Sequence, residues 1–565
     1  MNIEHVEKSY QELESDSTLQ NLIAQANARY ILYNTEESKE NFPRYTIKDE
    51  QLNILAFKYL NIGCNYFSEH NYLKASHSLE KGALILEYIH GSIHIQTKNK
   101  KLFCLISALS YYVCFQYSKA FILIGKLESD TMISSLVSLF LNRKFDQLLS
   151  EIDKLITNSS YGDEYLAEHF EEDNATKIYE IIIAKSLNYY VQFYQTGNKD
   201  FLEIAKKDLV NLQEVAAMRG EPDVWWVIRL LLLIIDGFKE SSLWYVLGNY
   251  FNTEDKLPLK YIQSLVYKNG SITELFLTQR NSLPKVLNNK QGSIVSIPTS
   301  SGKTRIGEIA ILNCLLNEPK AKILFIAPYR SLAYEIENSF DEIFSNLDVS
   351  VSHLYGGSLF SKLDERIIDE SSVIVATPEK AKALFRSNED ILSCIKLVII
   401  DEGHLLGTDK RLIVNEMFYE ELKYHVKANG GRFLLLSAVL PNAEDLSEWL
   451  TDSTDNVYKE NWRPSDERIG IMEWNGVSVN LNWKSTDAER NSFNPNFIMR
   501  QKLPKKPKER IMHYFPENKN QAIASTAYKL RKFGPVLIFV GIKKSVFAIA
   551  REYEKCIQPE EQKFR

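Results

Sequence analysis

The 565 residues are 45% hydrophobic and 25% charged, with a formal net charge of −6. That composition is ordinary for a globular protein, and the length predicts about three or four domains. The negative balance excludes a global basic field for nucleic acid, so any such binding must come from a local groove.

The first residues, Met1 to Lys8, contain no apolar signal region. From there to about Leu257 Gly and Pro are scarce, and apolar residues recur at i, i+3 and i+4, which predicts helices. The clearest pattern is Tyr59, Ile62, Gly63 and Tyr66, then Ala75, Leu79 and Gly82, with His70-Asn71 at the turn. This spacing is that of a tetratricopeptide-like helical hairpin of about 34 residues. Small side chains at Gly63 and Ala75 let two helices approach closely. Ala108, Tyr111 and Ala120 repeat the pattern weakly. Leu136–Ile156, Ile178–Tyr194 and Phe201–Met218 read as further hairpins without a clean register. Such units must stack to bury their apolar faces, and the stack either docks a partner protein or props up its neighbour. Trp225–Ile235 is apolar but too short to span a bilayer and holds Arg229, so it reads as a buried helix.

After Pro258 short apolar runs alternate with helices. The strand candidates are Ile294–Ile297, Ile323–Ala327, Val349–Leu354, Val373–Ala376, Leu397–Ile400 and Phe433–Leu436. Continuous apolar runs suit central strands of a parallel sheet, whose ligands sit beyond the strands' carboxyl ends. Beyond the first lies Pro298-Thr299-Ser300-Ser301-Gly302-Lys303-Thr304, followed by a helix. A strand, a small-residue loop ending Gly-Lys-Thr and a helix form a phosphate-binding context. Backbone N–H groups and the helix N-terminus face the anion, Lys303 reaches the β- and γ-phosphates, and the Thr304 hydroxyl ligates Mg²⁺. Ile297 stands where the general pattern opens with glycine. Asp401-Glu402-Gly403-His404 ends another apolar run. There Asp401 is placed to hold Mg²⁺, and Glu402 to orient or deprotonate water.

Taken singly, the remaining signals are bland. Thr377-Pro378 reads as a helix start, Gly356-Gly357 as a turn and Arg330 as a solvated charge. Their joint order is specific. Gln279, the Lys303 loop, Arg330-Ser331, Gly357, Thr377-Pro378, Asp401-Glu402-Gly403-His404 and Ser437-Ala438-Val439 together resemble the first motor domain of superfamily 2 helicases, closest to the Ski-like DExH branch. The resemblance covers about Leu275 to Trp462. It implies a RecA-like P-loop domain that binds ATP and Mg²⁺. Gln279 would contact adenine, and Thr299, Ser300, Ser301, Gly302, Lys303 and Thr304 the phosphates. Asp401 and Glu402 would handle magnesium and water, and His404 and Ser437 would couple ATP state to domain closure. Arg330, Ser331, Gly357, Thr377 and Pro378 would lie along a nucleic-acid strand, largely without base specificity. Gly403 replaces a commoner Ala, Val or Ile, and Val439 a commoner Thr, which removes a coupling hydroxyl.

Asn461-Trp462-Arg463-Pro464 resembles the segment leaving that motor domain. Ile469–Trp474 and Val477–Trp483 flank Asn475-Gly476, a strong hairpin signal. Lys484–Phe497 reads as a polar stretch. The basic run from Arg500 to Arg510 reads as a solvated linker in preference to a phosphate contact. Ala522–Phe533 reads as a helix and Val536–Val540 as the first strand of a second RecA-like domain. The sequence reaches only Arg565, and such domains need well over a hundred residues.

The expected layout is therefore helical repeats over 1–257, a first motor domain over 258–460, a connector over 461–520 and an incomplete second motor domain over 521–565. The expected activity is that of an ATP-dependent helicase or translocase on single-stranded nucleic acid, DNA before RNA, with this chain alone turning over little. The alternative is a nucleotide-gated scaffold that never translocates. A helicase of this branch with a large helical extension resembles that of the bacterial anti-phage system called Hachiman, which works with a nuclease partner. The six cysteines stand far apart without Cys-x-x-Cys pairs and read as buried free thiols of a reducing, cytoplasmic compartment.

Overall fold

The structure is a computed structural model that describes residues 3–34, 49–91, 98–127, 131–158, 172–352, 362–387, 390–406, 410–464, 468–485, 492–503 and 512–557. The chain forms two compact units. One comprises Met1–Cys114, Ala120–Glu128 and Ser465–Arg565, the other Phe115–Lys119 and Ser129–Pro464.

The first unit holds the clearest helical hairpin, Asp49–Ser68 and Tyr72–His90. Its turn has His70 at φ 59°, and the Asn71 side chain caps the second helix by accepting from Lys74 N–H at 3.3 Å. A Cβ on Gly63 would lie 2.5 Å from Leu79 Cγ, and one on Gly82 2.8 Å from Leu60 Cγ, so each glycine receives a leucine from the facing helix. The helix Ile3–Ser15 is tied to the hairpin by carboxylates. Tyr66 Oη donates to Glu7 at 2.6 Å, and Lys81 Nζ to Glu14 at 2.7 Å.

The same unit contains the antiparallel strands Arg468–Trp474, Ser478–Ser485 and Ser492–Met499. The first two form the hairpin expected at Asn475-Gly476. Gly476 sits at φ 90°, and Asn475 Oδ1 accepts from Val477 and Ser478 N–H. The third strand corrects the polar stretch expected there: Phe497, wholly buried, anchors it against Val479, Leu481 and Ala522. The intervening Asn and Pro residues hide its alternation. Of the basic run, Arg500 pairs with Glu517 and lies over Tyr514, while Lys505, Lys506 and Lys508 fall outside the described residues.

The helix Lys519–Leu530 forms much as expected, but Val536–Val540 does not pair as a strand. Leu537 and Phe539 are 93% and 90% exposed. A strand needs a hydrogen-bonded neighbour, and none of the described strands lies beside this one.

In the second unit the helices Met132–Leu141, Phe145–Asn158, Glu172–Thr196, Asp200–Arg219 and Pro222–Ser241 pack around Phe140, Tyr190, Phe193, Tyr194 and Phe238. The apolar run Trp225–Ile235 lies inside the last of these. Among the described residues no helix is long and apolar enough to cross a membrane.

Beyond these helices stands a parallel sheet of β1 (Gly292–Ser296), β2 (Lys322–Ile326), β3 (Val373–Ala376), β4 (Ile395–Ile400), β5 (Arg432–Ser437) and β6 (Val457–Lys459). The spatial order is β3-β2-β4-β5-β1-β6. β1 to β5 are nearly wholly buried, as continuous apolar runs require, while β6 at the edge is half-buried to exposed. The strand expected at Val349–Leu354 reduces to a bridge between Val351 and Val373, and residues 353–354 lie outside the described part. The short β6 was not legible in advance. The architecture is a helical region followed by a RecA-like P-loop sheet. The described cysteines are all free, but Cys394 is exposed and Cys556 half-buried, which corrects the expectation that all six are buried. Both end helices, where a side chain meets solvent.

Candidate active site

The phosphate loop leaves β1 at Ile297 and ends at Gly302, which begins the helix Lys303–Asn317 from a left-handed conformation, φ 76° and ψ 42°. No side chain caps this helix, so its first N–H groups are available to an anion. A Cβ at 302 would also lie 2.1 Å from Gln279 Nε2, so a larger residue would displace the Gln279 amide. Ser300 also has positive φ, 68°. Two such residues in one short loop mark a backbone held in place by its surroundings.

Those surroundings are specific. Gln279 Nε2 donates to Gly302 O at 3.0 Å, and Gln279 Oε1 accepts from Phe276 N–H at 2.8 Å. Ser301, fully buried, donates to Trp462 O at 3.4 Å. Thr278 Oγ1 lies 3.5 Å from Ser301 O. Gln279 is thus placed against the loop, with its amide tied to loop backbone.

Asp401 and Glu402 follow β4. Asp401 N–H donates to Ile326 O, and Asp401 Oδ1 accepts from Glu402 N–H at 2.9 Å. Glu402 sits at φ 53°, again left-handed for a residue with a side chain. That turn directs its carboxylate to the loop: one oxygen lies 3.4 Å from Lys303 Nζ and 3.2 Å from His404 Nδ1. Burial, and then the neighbouring Glu402 charge, push the Asp401 carboxyl up to about 6. A cation beside it would reverse that shift. Asp401 and the half-buried Thr304 offer the hard oxygen donors that Mg²⁺ takes, and Mg²⁺ is held by one or two protein groups together with phosphates. Among the described residues no cluster of three or more His, Cys, Asp or Glu forms a self-sufficient metal cage. The residues present therefore fit a nucleotide-borne Mg²⁺.

Gly403 departs from the commoner Ala, Val or Ile because Leu435 fills the space; a Cβ would lie 2.6 Å from its side chain. Ser437, at the end of β5, is wholly buried, and its hydroxyl has no hydrogen-bond partner among the described residues. Its main-chain oxygen accepts from Ile297 N–H, joining β5 to the phosphate loop. Ser296 performs a similar task, accepting from Leu440 N–H at 2.8 Å. Ser296, Thr278 and Phe276 were missed in the sequence, where a hydroxyl within an apolar strand and an aromatic three residues before Gln279 were the available signals.

The strand-tracking candidates divide. Arg330 and Ser331 are exposed at the start of the helix Arg330–Phe344, beyond β2. Thr377 caps the helix Pro378–Ser387, accepting from Lys380 N–H at 3.4 Å, and Pro378 opens that helix. A cleft of about 40 Å³ is lined by Pro328, Tyr329, Pro378, Asp401 and Glu402, so the ends of β2, β3 and β4 meet there. Gly356 and Gly357 lie outside the described residues.

Comparison with known proteins follows the same lines. Residues 277–446 match the family model described as DEAD/DEAH box helicase. The chain is 39% identical over 99% of its length to the Hachiman protein HamB of Bacillus cereus, of which it covers 50%. It is 33% identical over 39% of its length to the ATP-dependent DNA helicase Hel308 of Thermococcus kodakarensis, covering 18% of that protein. Among solved structures, the DUF1998 helicase MrfA bound to DNA overlaps 37% of this chain and 30% of its own, at 19% identity and a TM-score of 0.32. The chain thus spans half the length of HamB or less of these relatives. Residues 277–446 thus match the DEAD/DEAH box helicase model, in a chain similar along its length to half of a Hachiman protein HamB.

Proposed function

We propose that this chain supplies the first motor domain of an ATP-dependent helicase or translocase acting on single-stranded nucleic acid. The observation that carries the proposal is the meeting of Lys303 and His404 on one oxygen of Glu402, beside the buried Asp401. Bound Mg²⁺-ATP supplies the phosphoryl group whose transfer to water drives the motor. Lys303 leaves Glu402 for the β- and γ-phosphates. Glu402, so released, orients and deprotonates water. Thr304 and Asp401 would hold the Mg²⁺, and Gln279 would contact adenine from its place against the loop. His404 shares the Glu402 oxygen and Ser437 carries a buried hydroxyl beside the loop strand, so both are positioned to report phosphate occupancy. Arg330, Ser331, Thr377 and Pro378 line the strand's path, and the resemblance adds Gly357, which lies outside the described residues.

DNA is favoured over RNA because the Hel308 relatives are DNA helicases. Similarity to HamB supports a role in anti-phage defence, with the helical region docking a partner protein, a nuclease effector. The domain layout that goes with this is repeats over 1–257, motor domain over 258–460, connector over 461–520 and the start of a second motor domain from 521.

The test is ATP turnover by the full-length protein with single-stranded DNA, single-stranded RNA or neither. Stimulation by DNA supports the motor reading. Equal stimulation by RNA removes the DNA preference. No stimulation by either would return the protein to a nucleotide-gated switch that does not translocate.

A further inference from the structure

We propose that the turn Phe115–Tyr117 is a positioning element of the nucleotide site, acting through Gln279 on the phosphate loop; the proposal rests on the nucleotide-binding reading above. This turn is far upstream in sequence, yet residues 115–119 cluster with the unit that contains the loop.

Phe115 has a left-handed backbone, φ 64°, and its ring meets that of Tyr117 edge-on, with centroids 6.5 Å apart and planes 71° from parallel. Each ring is engaged by a residue that flanks Gln279. The Arg280 guanidinium lies 4.2 Å from the centroid of the Phe115 ring. Phe276 stacks on Tyr117 with centroids 6.1 Å apart and planes 26° from parallel. Phe276 also meets the Trp462 ring at 6.0 Å, and Ser301 of the loop donates to the Trp462 carbonyl.

The route to the loop is short. Phe276 N–H donates to Gln279 Oε1, and Gln279 Nε2 donates to Gly302 O. A Cβ on Gly302 would also come within 3.6 Å of the Phe276 ring, so the last glycine of the loop rests on both side chains. Packed contacts of this density pass on a displacement instead of absorbing it.

A buried ion pair fixes the other side of the turn. Arg143 donates to Glu274 Oε2 at 2.7 Å, with side chains 10% and 2% exposed, and its guanidinium lies 5.6 Å from the Tyr117 ring centroid. Ser241 Oγ donates to the other Glu274 oxygen at 3.3 Å. Burying such a pair costs desolvation that an apolar replacement would avoid. Glu274 lies two residues before Phe276, so what the pair contributes is the register of that segment.

The test compares this chain with Arg280→Ala, Arg280→Lys, the double variant Phe115→Ala/Tyr117→Ala, and Lys303→Ala. Affinity for a fluorescent ATP analogue with Mg²⁺ and melting temperature are read for each. Arg280→Ala is expected to weaken binding about threefold to tenfold, as a lost cation–aromatic contact of ordinary strength translates. Arg280→Lys restores most of it, and the double variant weakens it at least as much as Arg280→Ala. A lower melting temperature with unchanged affinity would make the turn mere packing and overturn the proposal. Unchanged affinity in both Arg280→Ala and the double variant, with Lys303→Ala abolishing binding, overturns it while leaving the nucleotide site intact. Failure of the unsubstituted chain to bind the analogue removes the nucleotide reading itself, and this proposal with it.

Discussion

Three side chains carry the proposed chemistry. Lys303, itself little exposed, faces Glu402 at 3.4 Å, so the lysine is held where a phosphate would take over the pairing. Lys303→Ala is expected to weaken ATP binding by at least tenfold, about 1.4 kcal/mol or more; unchanged affinity by calorimetry would refute the assignment. Glu402→Gln keeps the backbone turn and removes the base, so the full-length protein should bind ATP and stop turning it over. Native turnover in that variant would show that Glu402 does not activate the water. Asp401 gives a pH test. Its folded carboxyl titrates near 6 against an ordinary 3.8, so the folded chain holds this proton more tightly than the unfolded chain does. The stability it contributes is full below the ordinary value and is lost as pH rises from there through about 6. Asp401→Asn, with no charge to bury, should raise stability at neutral pH by about 3 kcal/mol and change it little in strong acid, as read from urea denaturation. Equal effects at both pH values would contradict a raised carboxyl. The substitution should also weaken Mg²⁺-dependent nucleotide binding, because it removes a charged oxygen donor.

At the level of elements, two features respond differently to change. In the hairpin Asp49–Ser68/Tyr72–His90, Gly63→Ala removes a helix penalty of about 1 kcal/mol. The added methyl, however, would stand 2.5 Å from Leu79 Cγ and 2.9 Å from Leu79 N, and overpacking of this kind costs about 1–3 kcal/mol. The net expectation is a lower melting temperature; a higher one would show that the two helices can separate cheaply. The segment Val536–Val540 is apolar and open, with Leu537 and Phe539 almost fully exposed. Exposed apolar segments of strand composition invite association. Leu537→Lys/Phe539→Lys should therefore reduce self-association of this chain in sedimentation velocity. The helical hairpin and the Asn475-Gly476 turn were legible because each rests on local signals: small residues at helical spacing, and a dipeptide suited to left-handed backbone. The strand Ser492–Met499 was not, since one buried aromatic, Phe497, carries it and nothing local announces the partner strand.

For the molecule as a whole, the net charge of −6 supplies no global basic field, so the proposed nucleic-acid path relies on local groups at the carboxyl ends of β2 and β3, where Arg330 and Pro378 stand. What the sequence by itself determined was the P-loop sheet and the places on it of the candidate nucleotide residues. Gly302, Lys303, Asp401 and Glu402 are chemically obligatory at strand ends, and continuous apolar runs identify the strands that carry them. The order β3-β2-β4-β5-β1-β6 was decided only in three dimensions, because pairing between strands far apart in sequence leaves no local mark. The same is true of the Glu402 carboxylate shared by Lys303 and His404, which depends on a left-handed turn at Glu402 that its side chain does not favour. It is also true of Phe115 and Tyr117, whose approach to Gln279 spans more than 150 residues of chain and rests on ring contacts that any aromatic could have made elsewhere.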